Sequence, residues 1–213
     1  MKRLLTLCLL SFLAQLTYAQ VDGTYKNSIA IRGYSMVKLP KILDQSNSGN
    51  YVNTALNGVM LKFHDNQINF RLSGSYFSKN IDFSDTQKTV GKVSDYSLKL
   101  GFEKNFNYST IQPYFFMDMG YRSNTFSGMV RNNLIVDANK DGFTLAPGFG
   151  IKINMLKELT FFAEGNAEFF YFMSKDESLN QTSNISDVSK YWKSQFLINP
   201  ISIGLQFQFG SND

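Results

Sequence analysis

From Ile201 to Phe209 apolar and polar residues alternate strictly: Ile201, Ile203, Leu205, Phe207 and Phe209 are separated by Ser202, Gly204, Gln206 and Gln208. Successive side chains of a β-strand point to opposite faces, so this spacing predicts a strand with one apolar face. Two other segments are nearly as clear. Ile68, Phe70, Leu72 and Tyr76 oppose Gln67, Asn69, Arg71, Ser73 and Ser75, and Phe143, Leu145, Phe149, Ile151 and Ile153 oppose Thr144, Ala146, Gly148, Gly150, Lys152 and Asn154. Five more segments follow less strictly. The first sets Ile29, Ile31, Val37 and Leu39 against Arg32, Tyr34 and Lys38, and the second Val59, Leu61 and Phe63 against Lys62 and His64. The fourth sets Tyr96, Leu98, Leu100 and Phe102 against Ser97, Lys99 and Glu103. In the fifth, Phe115, Met117, Met119 and Tyr121 oppose Gln112, Asp118 and Arg122; in the seventh, Phe161, Ala163, Ala167, Phe169 and Tyr171 oppose Thr160, Glu164, Asn166 and Glu168.

One face of all eight segments is uncharged. The other carries Arg32, Lys62, Arg71, Lys99, Glu103, Asp118, Arg122, Lys152, Glu164 and Glu168. A one-residue slip would exchange the faces, so this division specifies register. Alternation alone suits two architectures: a membrane barrel with its apolar face outwards, and a soluble lipocalin-like barrel with that face inwards around a ligand. The connections separate them. Pro40–Val52, Lys79–Val93, Asn124–Lys140 and Ser174–Lys190 read as long polar loops, while Asp65-Asn66, Asn105–Ser109 and Leu156–Glu158 read as short turns. Outer-membrane barrels show this long–short rhythm, and aromatic residues near segment ends fit their interfacial girdles. A basic residue facing lipid at mid-bilayer costs about 2–4 kcal/mol. Within a membrane barrel the charged face therefore belongs in the lumen, where Lys99 with Asp118 and Lys152 with Glu164 are expected to pair across neighbouring strands.

The N-terminus changes the picture of location. Lys2 and Arg3 precede a largely apolar run from Leu4 to Leu16, and Thr17-Tyr18-Ala19 offers small residues at the −3 and −1 positions. This is the pattern of a signal peptide cleaved before Gln20; the run is shorter than the roughly 20 residues of a spanning helix. The chain then divides into a signal, 1–19, and one domain, 20–213. Cleavage removes Cys8, the single cysteine, and with it any disulfide or thiolate metal site. The remaining 19 basic and 17 acidic residues give no basic stripe, and no nucleic-acid partner is expected. Aromatic residues make up 15% of the chain and charged residues only 18%, a balance that favours strands.

Candidate chemistry is sparse. Asp137, Asn139 and Asp141, followed by Gly142, match the opening of a calcium loop, but position 12 is Gly148 where a Glu is needed; an ordinary polar turn explains them better. Glu164 and Glu168 lie two inward positions apart and read as partners for Lys and Arg. Asn107, Asn180 and Asn184 begin glycosylation-like triplets that read as polar loop residues. The last long loop, with Asp176, Glu177, Asp187, Tyr191 and Trp192 in or beside it, is the candidate for external contacts.

In this pattern of strands and turns, and in the terminal Gly204-Leu205-Gln206-Phe207-Gln208-Phe209, the chain from Gln20 to Asp213 resembles the small outer-membrane β-barrel proteins of the OmpX and OmpA-barrel kind, also called porin-family proteins. The resemblance implies an all-β fold, an eight-stranded antiparallel up-and-down transmembrane barrel behind a cleavable signal peptide, in the outer membrane of a Gram-negative bacterium. It implies two partners, the surrounding lipid and the outer-membrane assembly machinery that reads the C-terminal strand. No catalytic motif is shared. Hydrolases of this architecture commonly use a His near the external rim, whereas His64, the single histidine, falls at the opposite end of its strand. The expectation is a non-enzymatic envelope protein without cofactors. Its interior would be filled by polar side chains, and its loops would serve a structural, adhesive or interaction role. A narrow porin-like pore and a soluble ligand-binding barrel are the alternatives.

Overall fold

The computed structural model describes residues 25–43, 49–65, 68–83, 88–131 and 133–211; the expected signal, 1–19, lies outside them. Eight antiparallel strands follow in chain order: β1 (Tyr25–Lys38), β2 (Tyr51–Asp65), β3 (Ile68–Phe83), β4 (Thr89–Asn105), β5 (Ile111–Val130), β6 (Leu134–Asn154), β7 (Leu159–Asn180) and β8 (Ile185–Ser211). Each pairs with its sequence neighbours, and β1 pairs with β8 to close the barrel. The circuit is staggered. From Leu205 the pairing runs through Ile31, Val59 and Gly74, then through Leu98, Tyr121, Phe143 and Tyr171, and returns to β8 at Ser194. Such a stagger is the strand tilt that lets a sheet close on itself. Tyr25 pairs with Ser211, so the described ends of the chain meet at one rim, the terminal rim; the opposite one is the distal rim.

The apolar face points outwards. Phe70 is 59% exposed, Ile151 49% and Leu205 48%, on a barrel whose lumen holds the charges. This orientation excludes the lipocalin-like arrangement. On β4 to β8 the main outward apolar band is bordered distally by ring contacts, Tyr96 with Tyr121 at 6.4 Å, Tyr121 with Phe143 at 6.3 Å and Tyr171 stacked on Trp192 at 5.2 Å, with Ile135, Val188 and Ile185 exposed beyond it.

Three expectations about strand limits are corrected. The supposed loops Lys79–Val93, Asn124–Lys140 and Ser174–Lys190 are mostly strand. Pairing continues to Phe83↔Thr89 between β3 and β4, to Val130↔Leu134 between β5 and β6, and to Asn180↔Ile185 between β7 and β8. Strands of 20 to 27 residues far exceed the 9–11 that cross a bilayer. The outward positions of their distal parts are mainly polar, so the apolar alternation fades while the hydrogen-bond ladder does not. Arg131 and Asn184, both with positive φ (57° and 54°), stand in the β5–β6 and β7–β8 turns.

Beside these tall strands the β1–β2 hairpin is short. Its ladder to β3 stops at Gly58↔Ser75 and its ladder to β8 at Met36↔Ile201. A β-bulge at Gly33 shifts the register between Arg32 and Tyr34 and reverses the faces of β1 beyond it. Val37 and Leu39, expected beside Ile29 and Ile31, turn inwards, and Leu39 is 1% exposed. With Ile42 and Val52 they pack on Phe77, Ile81, Val93, Phe126, Val130 and Val136 in an apolar cluster that fills the distal lumen.

Candidate functional site

The lumen is the one region where the sequence concentrates chemistry, and the barrel gathers that chemistry into a connected ion-pair network. Arg71, on β3, lies at its centre and is 1% exposed. Its guanidinium reaches Glu103 at 3.3 Å, Asp118 at 3.0 Å and Glu164 at 3.2 Å, from β4, β5 and β7. Its guanidinium carbon also stands over the Phe116 ring, 4.2 Å from the centroid. Glu103 takes Lys62 at 2.7 Å, Lys152, and the Asn69 amide at 2.9 Å. Glu164 takes Arg32 at 3.4 Å and accepts a hydrogen bond from the Tyr114 hydroxyl at 3.0 Å. Tyr114 in turn places its ring 4.9 Å from the Lys152 ammonium.

A second cluster stands towards the distal rim. Arg122 bonds Asp95 at 3.0 Å and Glu168 at 3.2 Å, and Lys99 reaches Glu168 at 3.0 Å. Asn124 donates to Asp95 at 2.7 Å, and Asn199 to Glu168 at 3.3 Å. Further out, Lys140 pairs with Asp176 at 3.4 Å, and Tyr191 donates to the same carboxylate at 2.7 Å.

All ten charges placed on one face by the sequence stand in this lumen, and each is in an ion pair. Their partners differ from those expected. Lys99 meets Glu168 and not Asp118, and Lys152 meets Glu103 and not Glu164, because side chains cross the lumen to reach strands that are not neighbours in the sheet. An unpaired charge here would face a desolvation cost of several kcal/mol, so each ion is held between opposite charges and hydrogen-bond donors. Asp176, expected in an external loop, is instead buried in the lumen beside Lys140, because β7 continues through that segment; Lys140 fell in a segment read as a loop, and Asp95 just outside the fourth alternating segment. Parity would have found them: Asp95 continues the odd positions Ser97, Lys99 and Glu103, and Lys140 continues the even positions Thr144 and Lys152.

Between the two clusters lies a polar chamber of about 60 Å³, bordered by Arg32, Asn57, Lys99, Glu164, Glu168 and Ser202. A water needs about 10–15 Å³ of such space, so the chamber holds a few. The Arg71 cluster lies on its terminal-rim side and the apolar cluster on its distal side. Glu164 and Glu168 both belong to the ion-pair network and offer no free carboxylate to a cleft. His64 sits inside the barrel near the terminal rim, bonded to Asn69 at 2.8 Å and Ser28 at 2.9 Å. Asp137, Asn139 and Asp141 alternate along one face of β6 instead of forming a loop, and the Asn139 amide donates to Asp141 at 2.7 Å. Among the described residues no three His, Cys, Asp or Glu side chains gather as metal ligands.

The chain is similar to several solved structures. OprG, an outer membrane protein of Pseudomonas aeruginosa, superposes with a TM-score of 0.56 at 13% identity, covering 88% of this chain and 98% of that one. Neisserial surface protein A gives 0.47 at 11% identity, with 88% and 98% covered. Outer membrane protein W of E. coli gives 0.41 at 12%, with 87% and 98% covered. At 13% identity the likeness to OprG is one of fold alone, and it singles out neither the OmpX kind nor a porin family. No protein-family model matches the chain, and no curated protein matches it.

Proposed function

We propose that this chain is an integral outer-membrane barrel protein without enzymatic activity, with a solid ionic core and a tall distal β-wall that serves a structural, adhesive or interaction role. The observation that carries this reading is the pairing of all ten charges named above within the lumen, which leaves between the clusters a chamber of only about 60 Å³. Such a lumen stiffens a wall and conducts nothing. Location rests on the outward apolar band, on the fold shared with the outer membrane protein OprG, and on the aromatic ring contacts where that band ends. Lipid is then the first partner, and the strand ending in Gly204 to Phe209 is the segment the assembly machinery would read. The distal wall, built of paired strands where loops were expected, is the surface offered to an extracellular partner.

Single-channel recording in a planar bilayer tests the core: no stable openings are expected, and large sustained steps would restore the narrow-pore reading. Heat-modifiable migration on unboiled gels tests the membrane barrel. A mature chain that purifies folded from the aqueous fraction without detergent would remove the location.

A further inference from the structure

On β4 to β7 the outward side chains change character immediately beyond the aromatic contacts. Two cross-strand rows of polar residues follow: Ser94, Thr125, Asn139 and Lys175, then Lys92, Ser127, Asp137 and Glu177. They border a shallow concavity of about 620 Å³ on the outer wall. Because they stand on paired strands, their spacing is set before any ligand arrives, which lowers the ordering cost of binding.

Two features of this panel are unfavourable for the protein alone. Lys175 lies directly opposite Lys190, and Asp137 directly opposite Glu177; like charges in opposed positions destabilise a sheet. The exposed contact of Lys175 with Glu177 at 2.7 Å relieves only half of each pair. Among the described residues Lys190 has no ion pair. Below them lies the Tyr171–Trp192 stack, facing the apolar band.

We propose that this panel binds the phosphorylated sugar headgroup of an outer-leaflet glycolipid, an inference that rests on the outer-membrane reading above. The phosphate sits between Lys175 and Lys190, where its charge turns a repulsive pair into a clamp. Sugar hydroxyls donate to the Asp137 and Glu177 carboxylates and exchange hydrogen bonds with Ser127 and Thr125. The acyl chains descend over Tyr171 and Trp192. A phosphate without hydroxyl donors satisfies the lysines and leaves the carboxylate pair opposed, so the panel selects a phosphosugar over a simple phospholipid.

Trp192 is the single tryptophan of the chain and stands beside the clamp, so its emission reports occupancy. The folded barrel is titrated with phosphatidylcholine vesicles containing lipid A, a phosphorylated and acylated disaccharide, then with vesicles carrying phosphatidylglycerol at equal charge, then with inorganic phosphate. The expected result is a saturable emission change with lipid A that weakens at least about tenfold in the Lys175→Gln/Lys190→Gln variant. Phosphatidylglycerol and free phosphate should bind more weakly, and Asp137→Asn should narrow the gap between the two lipids. Equal response to both lipids, an unchanged response in the double variant, or no saturable response overturns the proposal. Unboiled-gel mobility of each variant reports folding separately. If the wild-type chain itself shows no heat-modifiable barrel, the outer-membrane reading has failed; if the barrel is intact and lipid A is ignored, only the headgroup site has.

Discussion

Replacing Arg71 by Met keeps most of the side-chain volume and removes the charge at the centre of the lumen. The three carboxylates around it are affected unequally. Glu103 keeps Lys62 and Lys152, and Glu164 keeps Arg32 and the Tyr114 hydroxyl. Asp118, whose one ion pair among the described residues is with Arg71, is left buried without a cation. Breaking a buried pair in this way costs about 3–5 kcal/mol, a large part of the roughly 5–15 kcal/mol that holds a domain folded. Adding Asp118→Asn removes the orphaned charge, so the double variant should recover part of the loss, with a coupling of about 0.5–3 kcal/mol. The contrast is Lys175→Met, which breaks an exposed pair and should cost about 0–1 kcal/mol. Equilibrium urea unfolding in lipid vesicles, followed by Trp192 emission, measures all four proteins, and unboiled-gel mobility reports whether each still closes. If Arg71→Met lies within about 1 kcal/mol of the wild type, or if Asp118→Asn worsens it, the lumen is not the tightly desolvated network described above.

Other expectations follow from the same geometry. Phe70→Arg, on the lipid-facing side, should lower stability in vesicles by about 2–4 kcal/mol, while Asn139→Arg, beyond the aromatic contacts, should stay near zero; equal costs in the same urea assay would contradict the placement of the band. A Cβ at Gly150 would collide with the Tyr114 ring, which cannot move without losing its bond to Glu164. Gly150→Val should therefore cost about 1–3 kcal/mol, partly recovered when Tyr114→Ala opens the space, as thermal unfolding in detergent would reveal. Calcium added in a calorimeter should give the same heat for the wild type and Asp137→Ala, since β6 spreads its three oxygen-bearing side chains along a strand; a distinct wild-type binding isotherm would reinstate a metal site.

Much of the fold was legible because a strand has a strict period. The odd positions from Ile201 to Phe209 and the even positions around Lys152 needed no tertiary information to be assigned to opposite faces. Within the membrane-barrel reading, the outward direction of the apolar face followed from an energetic asymmetry, because turning several Arg and Lys residues towards lipid would rival the stability of the domain. Two things escaped. The bulge at Gly33 exchanged the faces of Val37 and Leu39, since a single extra residue breaks parity without any strong sign in composition. The distal halves of β5 to β8 escaped because hydrophobic alternation reports contact with lipid and not strand pairing. Thr125, Ser127, Asp137 and Asn139 are polar and yet lie in the ladder.

By itself the sequence determined which side chains would be excluded from lipid, because that selection depends only on period and on the cost of a charge in hydrocarbon. Only the closed, staggered barrel decided who meets whom. Glu103 and Lys152 are 49 residues apart in the chain and on strands that do not adjoin, yet they touch because the wall curves them towards a common axis. Closure likewise turned the outer part of the first hairpin into an apolar cluster in the lumen and a set of expected polar loops into paired strands. Those outcomes depend on the distance across a lumen and on strand tilt, which are properties of the whole circuit and not of any segment within it.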